Sequence, residues 1–530
     1  MSFKIKKITI AISFALSINN SQAQFGSVIN LSDLNGNNGF IINGVNLNDN
    51  SGVSVSSAGD INGDGIDDLI IGADSVDADG NTDAGRSYVV YGSDISLPNP
   101  FDLSSLNGFN GFVIDGANEY DYSGASVSRA GDINGDGIDD LIIGAHSADA
   151  NGNPYSGSSY VIFGSNKGIP NPFNLSTING SNGFVINGVN ADDYSGRSVS
   201  QAGDINGDGI DDLIIGAPKS NVNAGSSYVV FGSNISLPNP LNLSTLNGTN
   251  GFVINGVNAS DNSGRSVSQA GDVNGDGTDD LIIGAFSADA NGNTDAGSSY
   301  VVFGSNTVFN PFNLSNINGL NGFVINGVNA TDNSGSSVSA AGDINGDGID
   351  DLIIGALRAA SNGNTNAGSS YVVFGSKSGF TNPFNLGAIN GSNGFEINGV
   401  NINDYSGSSV SQAGDINGDG IDDLIIGAIR ADPNGINNAG SSYVVFGNNA
   451  GFVSPFNLLN INGSNGFIIN GINENDYSGI SVSQAGDFNG DGISDVIIGA
   501  SGADPNGNTN AGSSYVVFGR EKPIFINGFE

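Results

Sequence analysis

A short acidic motif, Gly-Asp-x-Asn-Gly-Asp-Gly, occurs seven times in this chain of 530 residues. The first copy continues over residues 60–68 as Asp-Ile-Asn-Gly-Asp-Gly-Ile-Asp-Asp, which places side-chain oxygens at positions 1, 3, 5 and 9. Glycine at position 6 permits a sharp turn that folds these oxygens around one point, and the main-chain carbonyl of position 7 adds another. Calcium prefers such oxygen ligands. The motif therefore predicts a calcium-binding loop in each copy, with up to seven Ca²⁺ ions per chain.

The predicted ligands of one loop include three carboxylates, which repel one another unless a cation neutralises them. Magnesium fits less well, because it demands octahedral geometry and retains its waters. Soft metals are disfavoured because the chain has no Cys and a single His. The predicted ligands are Asp60, Asn62, Asp64, Ile66, Asp68; Asp132, Asn134, Asp136, Ile138, Asp140; Asp204, Asn206, Asp208, Ile210, Asp212; Asp272, Asn274, Asp276, Thr278, Asp280; Asp343, Asn345, Asp347, Ile349, Asp351; Asp415, Asn417, Asp419, Ile421, Asp423; Asp487, Asn489, Asp491, Ile493 and Asp495.

The motif has two other possible interpretations. An EF-hand needs Glu at position 12 and flanking helices, whereas position 12 of the first copy is Ile71, inside an apolar run. An acidic turn without metal is the remaining alternative, because Asn-Gly and Asp-Gly are common turn formers. The recurrence of all four side-chain oxygens favours the metal site. Position 8, occupied by Asp67 in the first copy, is expected to face solvent, and only Ser494 interrupts its acidic series.

The segments that position the loops repeat with the same period. The first Asp of the motif recurs after 72, 72, 68, 71, 72 and 72 residues. In the second copy, residues 125–130 alternate as a strand does, 141–145 form a continuous apolar run, and 159–164 and 183–188 give two further strand patterns. Four antiparallel strands per repeat and seven repeats predict an all-β fold, a seven-bladed β-propeller. A parallel β-helix is the alternative, but its repeats are much shorter.

The two ends of the repeat array predict how the ring closes. The last repeat has three strand patterns, ending at residue 519, and no fourth. Residues 39–44 form a fourth-strand pattern that no repeat precedes. We therefore expect this N-terminal segment to complete the seventh blade, so that main-chain hydrogen bonds close the ring. The tail, residues 523–530, either packs near the closed blade or is a sorting signal.

The first 23 residues predict a signal peptide. Lys4, Lys6 and Lys7 precede a short apolar stretch over residues 8–18, and a small-x-small pattern ends at Ala23. Residues 24–530 then form a single propeller domain. No later segment is long and apolar enough for a membrane span. The protein is therefore expected to be secreted, and to act outside the cell or at its surface.

The charge of the chain limits its possible partners, and its lack of cysteine limits the sources of its stability. The chain has 53 acidic and 14 basic residues, a net charge of -39, which disfavours nucleic acid and anionic lipid. It has no cysteine, so stability must come from packing and from bound metal rather than from disulfides.

The repeat resembles the FG-GAP repeats of integrin α-subunit propellers, in which a DxDxDGxxD loop joins the first two strands. The "GAP" element appears as Ile-Ile-Gly-Ala, with proline only at Pro218; Ser-Gly replaces "FG", and Val-Val-Phe-Gly closes the third strand. The resemblance covers residues 39–519. The family has Asp at position 3, whereas this chain has Asn, as in Asn62. Because the Asn side chain supplies a neutral oxygen, calcium should bind more weakly. Only some integrin blades carry the loop, whereas all seven do here, and no inserted ligand-binding domain, leg domain, membrane helix or RGD-like tripeptide is found.

The resemblance implies that ligands bind the face opposite the calcium loops. A recurring Asn-x-x-Asp-(Tyr/Asn)-Ser-Gly segment would lie there and form a ligand rim. The alternative is that its Asp caps a turn and its Tyr packs between blades. The rim residues are Asp121, Tyr122, Asp193, Tyr194, Asp404, Tyr405, Asp476 and Tyr477.

Three functions follow from these features. The first is a calcium-binding module for adhesion to an extracellular protein or glycan, and near-identical blades favour it. The second is a propeller-bearing hydrolase or lyase that acts on extracellular polysaccharide; the one histidine, His146, has no equivalent in the other repeats. The third is a purely structural surface protein. The sequence favours the first and predicts no enzymatic activity.

Overall fold

The computed structural model describes residues 25–95, 97–306 and 310–520. The predicted signal peptide and the tail lie outside these ranges. The described residues form seven five-stranded sheets. The prediction of a seven-bladed, almost entirely β propeller is therefore confirmed. Among these residues, the longest helix is far too short to cross a membrane.

The strands are short and regular. In chain order they are β1 (Val28–Asn30), β2 (Gly39–Asn43), β3 (Ser54–Gly59), β4 (Asp68–Ala73), β5 (Arg86–Val90), β6 (Phe101–Asp102), β7 (Gly111–Asp115), β8 (Ser126–Gly131), β9 (Asp140–Ala145), β10 (Ser158–Ile162), β11 (Phe173–Asn174), β12 (Gly183–Asn187), β13 (Ser198–Gly203), β14 (Asp212–Ala217), β15 (Ser226–Val230), β16 (Leu241–Asn242), β17 (Gly251–Asn255), β18 (Ser266–Gly271), β19 (Asp280–Ala285), β20 (Ser298–Val302), β21 (Phe312–Asn313), β22 (Gly322–Asn326), β23 (Ser334–Gly342), β24 (Asp351–Ala356), β25 (Ser369–Val373), β26 (Phe384–Asn385), β27 (Gly394–Asn398), β28 (Ser406–Gly414), β29 (Asp423–Ala428), β30 (Ser441–Val445), β31 (Phe456–Asn457), β32 (Gly466–Asn470), β33 (Ser481–Gly486), β34 (Asp495–Ala500) and β35 (Ser513–Val517).

The helical segments are single turns in the connections between strands. They are α1 (Ser220–Asn223) and the 3₁₀ turns Leu31–Asp33, Leu103–Ser105, Ala150–Gly152, Leu175–Thr177, Leu243–Thr245, Ala290–Gly292, Leu314–Asn316, Leu386–Ala388, Pro433–Gly435, Leu458–Asn460 and Pro505–Gly507.

Every blade has the same strand order, and we number the blades by their calcium loops. In blade 1 the order from the channel outward is β3-β4-β5-β7-β11. The first four strands are antiparallel neighbours, as predicted. The fifth, β11, comes from the next repeat and pairs in parallel with β7. The sequence did not predict it, because two residues are too few to show a strand periodicity.

The innermost strands surround a polar central channel. Ser and Gln side chains from all seven of them line a cavity of about 220 Å³. Each inner strand also bonds to the one before it: the Val127 amide donates to the Ser54 hydroxyl at 3.0 Å. The Val55 amide donates to the Ser481 hydroxyl at 3.0 Å, so this series of bonds runs right around the ring.

The hydrophobic core lies between the blades rather than inside any one of them. Ile70 and Val89 of blade 1 share a cluster with Leu141 and Ile143 of blade 2, and all four are fully buried. The second strand of each blade is buried along its whole length, as its continuous apolar run predicted. Because every blade needs both neighbours to cover it, stability depends on closure of the ring.

The N-terminal segment closes the ring, as predicted, and does so at two blades. Strand β2 pairs antiparallel with β35, which completes blade 7. In addition, β1 pairs in parallel with β32 and becomes the fifth strand of blade 6. Phe25, just before β1, stacks on Phe467 with ring centroids 4.3 Å apart. The sequence did not predict this second contact.

Candidate calcium loops and the opposite face

The acidic motif forms the turn between the first and second strands of each blade. In blade 1, the Asp60 carboxylate accepts hydrogen bonds from the amides of Asp64 and Gly65, at 2.9 and 2.8 Å. Asp64 in turn accepts from the Ile66 amide at 3.0 Å and is itself exposed. The same bonds to the first Asp recur in all seven loops. The loop is therefore ordered by its own main chain and open to solvent at one side.

The aspartate at position 9 lies at the buried side of the loop. The Asp68 carboxylate is fully buried and accepts from the amides of Gly92 and Ile61, at 2.8 and 3.1 Å. Burial, together with the nearby carboxylates of Asp64 and Asp60, raises the pKa of Asp68 to about 9. Nearby positive charge would stabilise the ionised form of such a group.

Burial acts in the same way on position 9 of the other loops. It raises the pKa of Asp423, the most deeply buried of them, well above the ordinary value. The remaining five have pKa values raised to about 8: Asp140, Asp212, Asp280, Asp351 and Asp495.

The donor set of the loops fits calcium in kind. Two buried oxygens of predicted ligands, Asn417 Oδ1 and Asp495 Oδ2, have no hydrogen-bond partner among the described residues. Buried polar atoms normally have one. However, no three acidic or histidine side chains of the described residues converge as closely as in a formed metal site. In blade 1, Asn62 directs its amide nitrogen at Asp68, 3.3 Å away. Calcium binding therefore requires the asparagine amide to present its oxygen instead.

The expectation that position 8 faces solvent was wrong. The Asp139 carboxylate reaches the preceding blade and accepts from the Asp60 amide at 3.0 Å, so it joins one calcium loop to the next. Side-chain placement across a blade boundary could not be inferred from the repeat pattern alone. The same bond recurs at five other blade boundaries, with acceptors Asp211, Asp279, Asp350, Asp422 and Asp67. Ser494 replaces the carboxylate at the boundary between blades 6 and 7.

Replacing Ser494 by Asp should strengthen that boundary, because it supplies the missing acceptor for the Asp415 amide. We expect the free energy of unfolding to rise by about 1 kcal/mol, the usual net value of a hydrogen bond. Thermal unfolding followed by circular dichroism measures the change. Asp211→Ser, which removes the same bond between blades 2 and 3, should lower stability by a similar amount. A neutral effect of both substitutions would refute the role given to position 8.

The opposite face is formed by the loops that enter the first strand and leave the second. The rim aspartates lie there and cap their own turns: Asp193 accepts from the amide and the side chain of Asn190, at 3.0 and 3.1 Å. The other three are arranged similarly, and all four are buried, with 2–4% of their surface exposed. The tyrosines beside them remain half-exposed: Tyr122, Tyr194, Tyr405 and Tyr477.

Comparison with known proteins agrees with this architecture. A family model described as "FG-GAP repeat" matches residues 51–90, 123–162, 195–230, 263–302, 334–373, 406–445 and 478–517, just over half of the chain. The chain therefore belongs to the FG-GAP repeat family. This confirms the resemblance to FG-GAP repeats that the sequence motifs indicated. Each matched segment holds three strands and one acidic loop.

Two kinds of curated relative share these repeats. Phosphatidylinositol-glycan-specific phospholipase D of Bos taurus is 33% identical over 162 residues, which cover 31% of this chain and 18% of that protein. Integrin alpha pat-2 of Caenorhabditis elegans is 33% identical over 249 residues, which cover 45% of this chain and 18% of that protein. The matched part thus spans less than a fifth of either relative's length.

Proposed function

We propose that this chain is a calcium-stabilised extracellular module that binds a protein or glycan and acts in adhesion. The predicted signal peptide supports export. Membership of the FG-GAP family and similarity to integrin α chains support a binding role. The calcium loops brace the blades in this proposal, and the opposite face carries the ligand.

Calcium would be held by the residues at positions 1, 3, 5, 7 and 9 of each loop. When bound, it supplies the positive charge that the three carboxylates of a loop require. Position 9 joins the loop to the core, because Asp68 opens the second strand and accepts from Gly92, which follows the third strand. This buried group would lose its proton when calcium binds, and metal binding would therefore be coupled to the packing of the blade.

The observation that carries the binding role is the backbone of the rim tyrosines. Tyr122, Tyr194, Tyr405 and Tyr477 all have a left-handed conformation, with φ between 52° and 55°. This conformation costs an L-residue other than Gly or Asn about 1–2 kcal/mol. Blades 1, 4 and 5 place Asn at the same turn position, at the equivalents Asn50, Asn262 and Asn333, with φ of 54–56°. Four blades therefore accept a cost that Asn would avoid, which is typical of residues retained for function.

The hydrolase or lyase alternative has less support. Relatives named as a phospholipase and as integrins share the same repeats, so the repeats alone do not specify an activity. His146 has its pKa lowered to about 3 by burial and by the nearby Arg197 and Arg265, so it is neutral near pH 7. Such a group is a weak general base at neutral pH.

The binding role is tested by changing all four rim tyrosines to Asn, which suits the turn. Fluorescent beads coated with wild-type protein should adhere to at least one member of a panel of immobilised extracellular matrix proteins and polysaccharides. The fourfold variant should melt as high as wild type or higher, yet lose at least 90% of the adherent beads. A control, Tyr120→Asn, changes another exposed tyrosine of this face. Equal adhesion by the fourfold variant, or turnover of a polysaccharide without stable binding, would contradict the proposal.

A further inference from the structure

The blades are almost identical, so a position at which they differ is informative. The residue directly after the recurring Ser-Gly, at the start of each innermost strand, lies at the mouth of the central channel, on the face opposite the calcium loops. In blades 3 and 4 this residue is arginine, Arg197 and Arg265, whereas the other five blades have uncharged residues. These are Val53, Ala125, Ser336, Ser408 and Ile480.

Other charged and polar groups meet the arginines at this mouth. His146, which follows the second strand of blade 2, lies within electrostatic range of both. Asp74, at the equivalent place in blade 1, is within range of Arg197. Burial, together with neighbouring Arg197, lowers the pKa of Arg265 to about 10, and burial also lowers the pKa of Arg197. The Arg265 guanidinium therefore remains charged at neutral pH. Four consecutive blades therefore contribute to one asymmetric site.

The two guanidinium groups have no partner in the described structure. The ion pairs there are Arg86 with Asp115 and Arg129 with Asp139. Asp74 lies too far from Arg197 for an ion pair, and its carboxylate accepts instead from the Ser75 hydroxyl at 3.0 Å. Two adjacent, largely buried cations without hydrogen bonds are costly. An anionic ligand that accepts from both would remove this cost.

Aromatic side chains border the site on one side. The His146 ring lies between Tyr122 and Tyr194, with centroids 6.3 and 6.0 Å away. The Tyr155 ring stacks on Tyr194, with centroids 5.7 Å apart. Arg and Tyr, with Trp, are the residues most enriched in the energetic centres of protein–protein interfaces. The chain lacks Trp, which makes a sugar-stacking site less favourable than a protein interface.

We propose that the channel mouth binds an Asp or Glu side chain of a partner protein, with Arg197 and Arg265 donating to its carboxylate. Guanidinium groups match the planar carboxylate in geometry and charge. The bordering tyrosines would contact the flanking residues of the acidic segment. This proposal rests on the proposed binding function and specifies the chemistry of the ligand.

Fluorescence anisotropy with a labelled peptide of alternating Gly and Glu tests the site in the calcium-saturated full chain. We expect saturable binding that Arg197→Gln and Arg265→Gln each weaken at least tenfold. Arg358→Gln, which removes an exposed charge from the same face, is the matched control and should change the affinity less than twofold. The corresponding Gly-Gln peptide should not bind. Thermal melting of each variant verifies that it is folded.

Several outcomes would overturn the proposal. They are equal loss of binding in Arg358→Gln, equal binding of the Gly-Gln peptide, and binding of tetragalacturonate in place of the peptide. The last outcome would assign the site to an acidic glycan. Absence of any anion binding, in protein that still adheres through its tyrosine rim, would refute the acidic site and leave the proposed function intact. Loss of rim-dependent adhesion as well would refute both.

Discussion

Replacing Ile42 by Asp is expected to open the propeller. Ile42 is fully buried in β2, the strand from the N-terminus that completes blade 7. A charge placed there is buried without a partner and detaches the strand from β35. Since each blade covers its neighbours' cores, loss of β2 exposes both sides of the gap. We expect a loss of about 3–5 kcal/mol of unfolding free energy, seen as a large fall in melting temperature and early proteolysis near residue 43.

The control for this prediction is Leu47→Asp, which places the same charge a few residues later. Leu47 is 60% exposed and lies outside the strand, so its replacement should leave melting within about 0.5 kcal/mol of wild type. If Ile42→Asp melted like this control, the N-terminal strand would not be what holds the ring closed.

The second large effect concerns pH and the position-9 aspartates. In calcium-free protein, burial raises the pKa of Asp68 to about 9, whereas the unfolded chain has a value of about 3.9. The folded state then holds a proton that the unfolded state has lost, so folding stability is full below about pH 4 and falls as pH rises towards 9. Seven such groups should make this fall steep. Saturating calcium should flatten or reverse it, because the cation favours the ionised carboxylate.

Thermal melting at pH 5 and pH 8, with calcium and with chelator, measures the effect. The Asp68→Asn variant lacks one of the seven titrating groups, so its stability should depend less on pH. It also lacks one calcium ligand, so calcium should raise its stability less. A site at tenfold saturation contributes about 1.4 kcal/mol. Asp33→Asn, at an exposed acid outside the loops, is the control and should behave as wild type. Calcium-free protein that became more stable from pH 5 to pH 8 would contradict the burial argument.

The sequence predicted those parts of the fold that repeat within one blade. Period-two patterns and the apolar run over residues 141–145 located the four main strands, and the unmatched segment at residues 39–44 predicted closure. The repeats also predicted the seven acidic loops. All of these are local signals, visible within about ten residues, and seven copies averaged out their ambiguity.

The sequence patterns could not predict the contacts between blades. The fifth strands, such as Phe173–Asn174, pair with a neighbouring repeat and have no periodicity of their own. The hydrogen bond that the Asp60 amide donates to the Asp139 carboxylate links residues 79 positions apart. The proximity of Arg197 and Arg265 at the channel mouth depends on how blades 3 and 4 pack against each other. Their departure from the repeat pattern was, however, a signal visible in the sequence.

Calcium content, measured together with melting, tests the central claim most directly. Full-length protein equilibrated with calcium and then dialysed against metal-free buffer should retain several Ca²⁺ ions per chain, up to seven, by elemental analysis. Chelator should remove them and lower the melting temperature, and added calcium should restore it, with magnesium less effective. Protein that holds no calcium and melts at the same temperature with and without chelator would show that the seven acidic loops are metal-free turns.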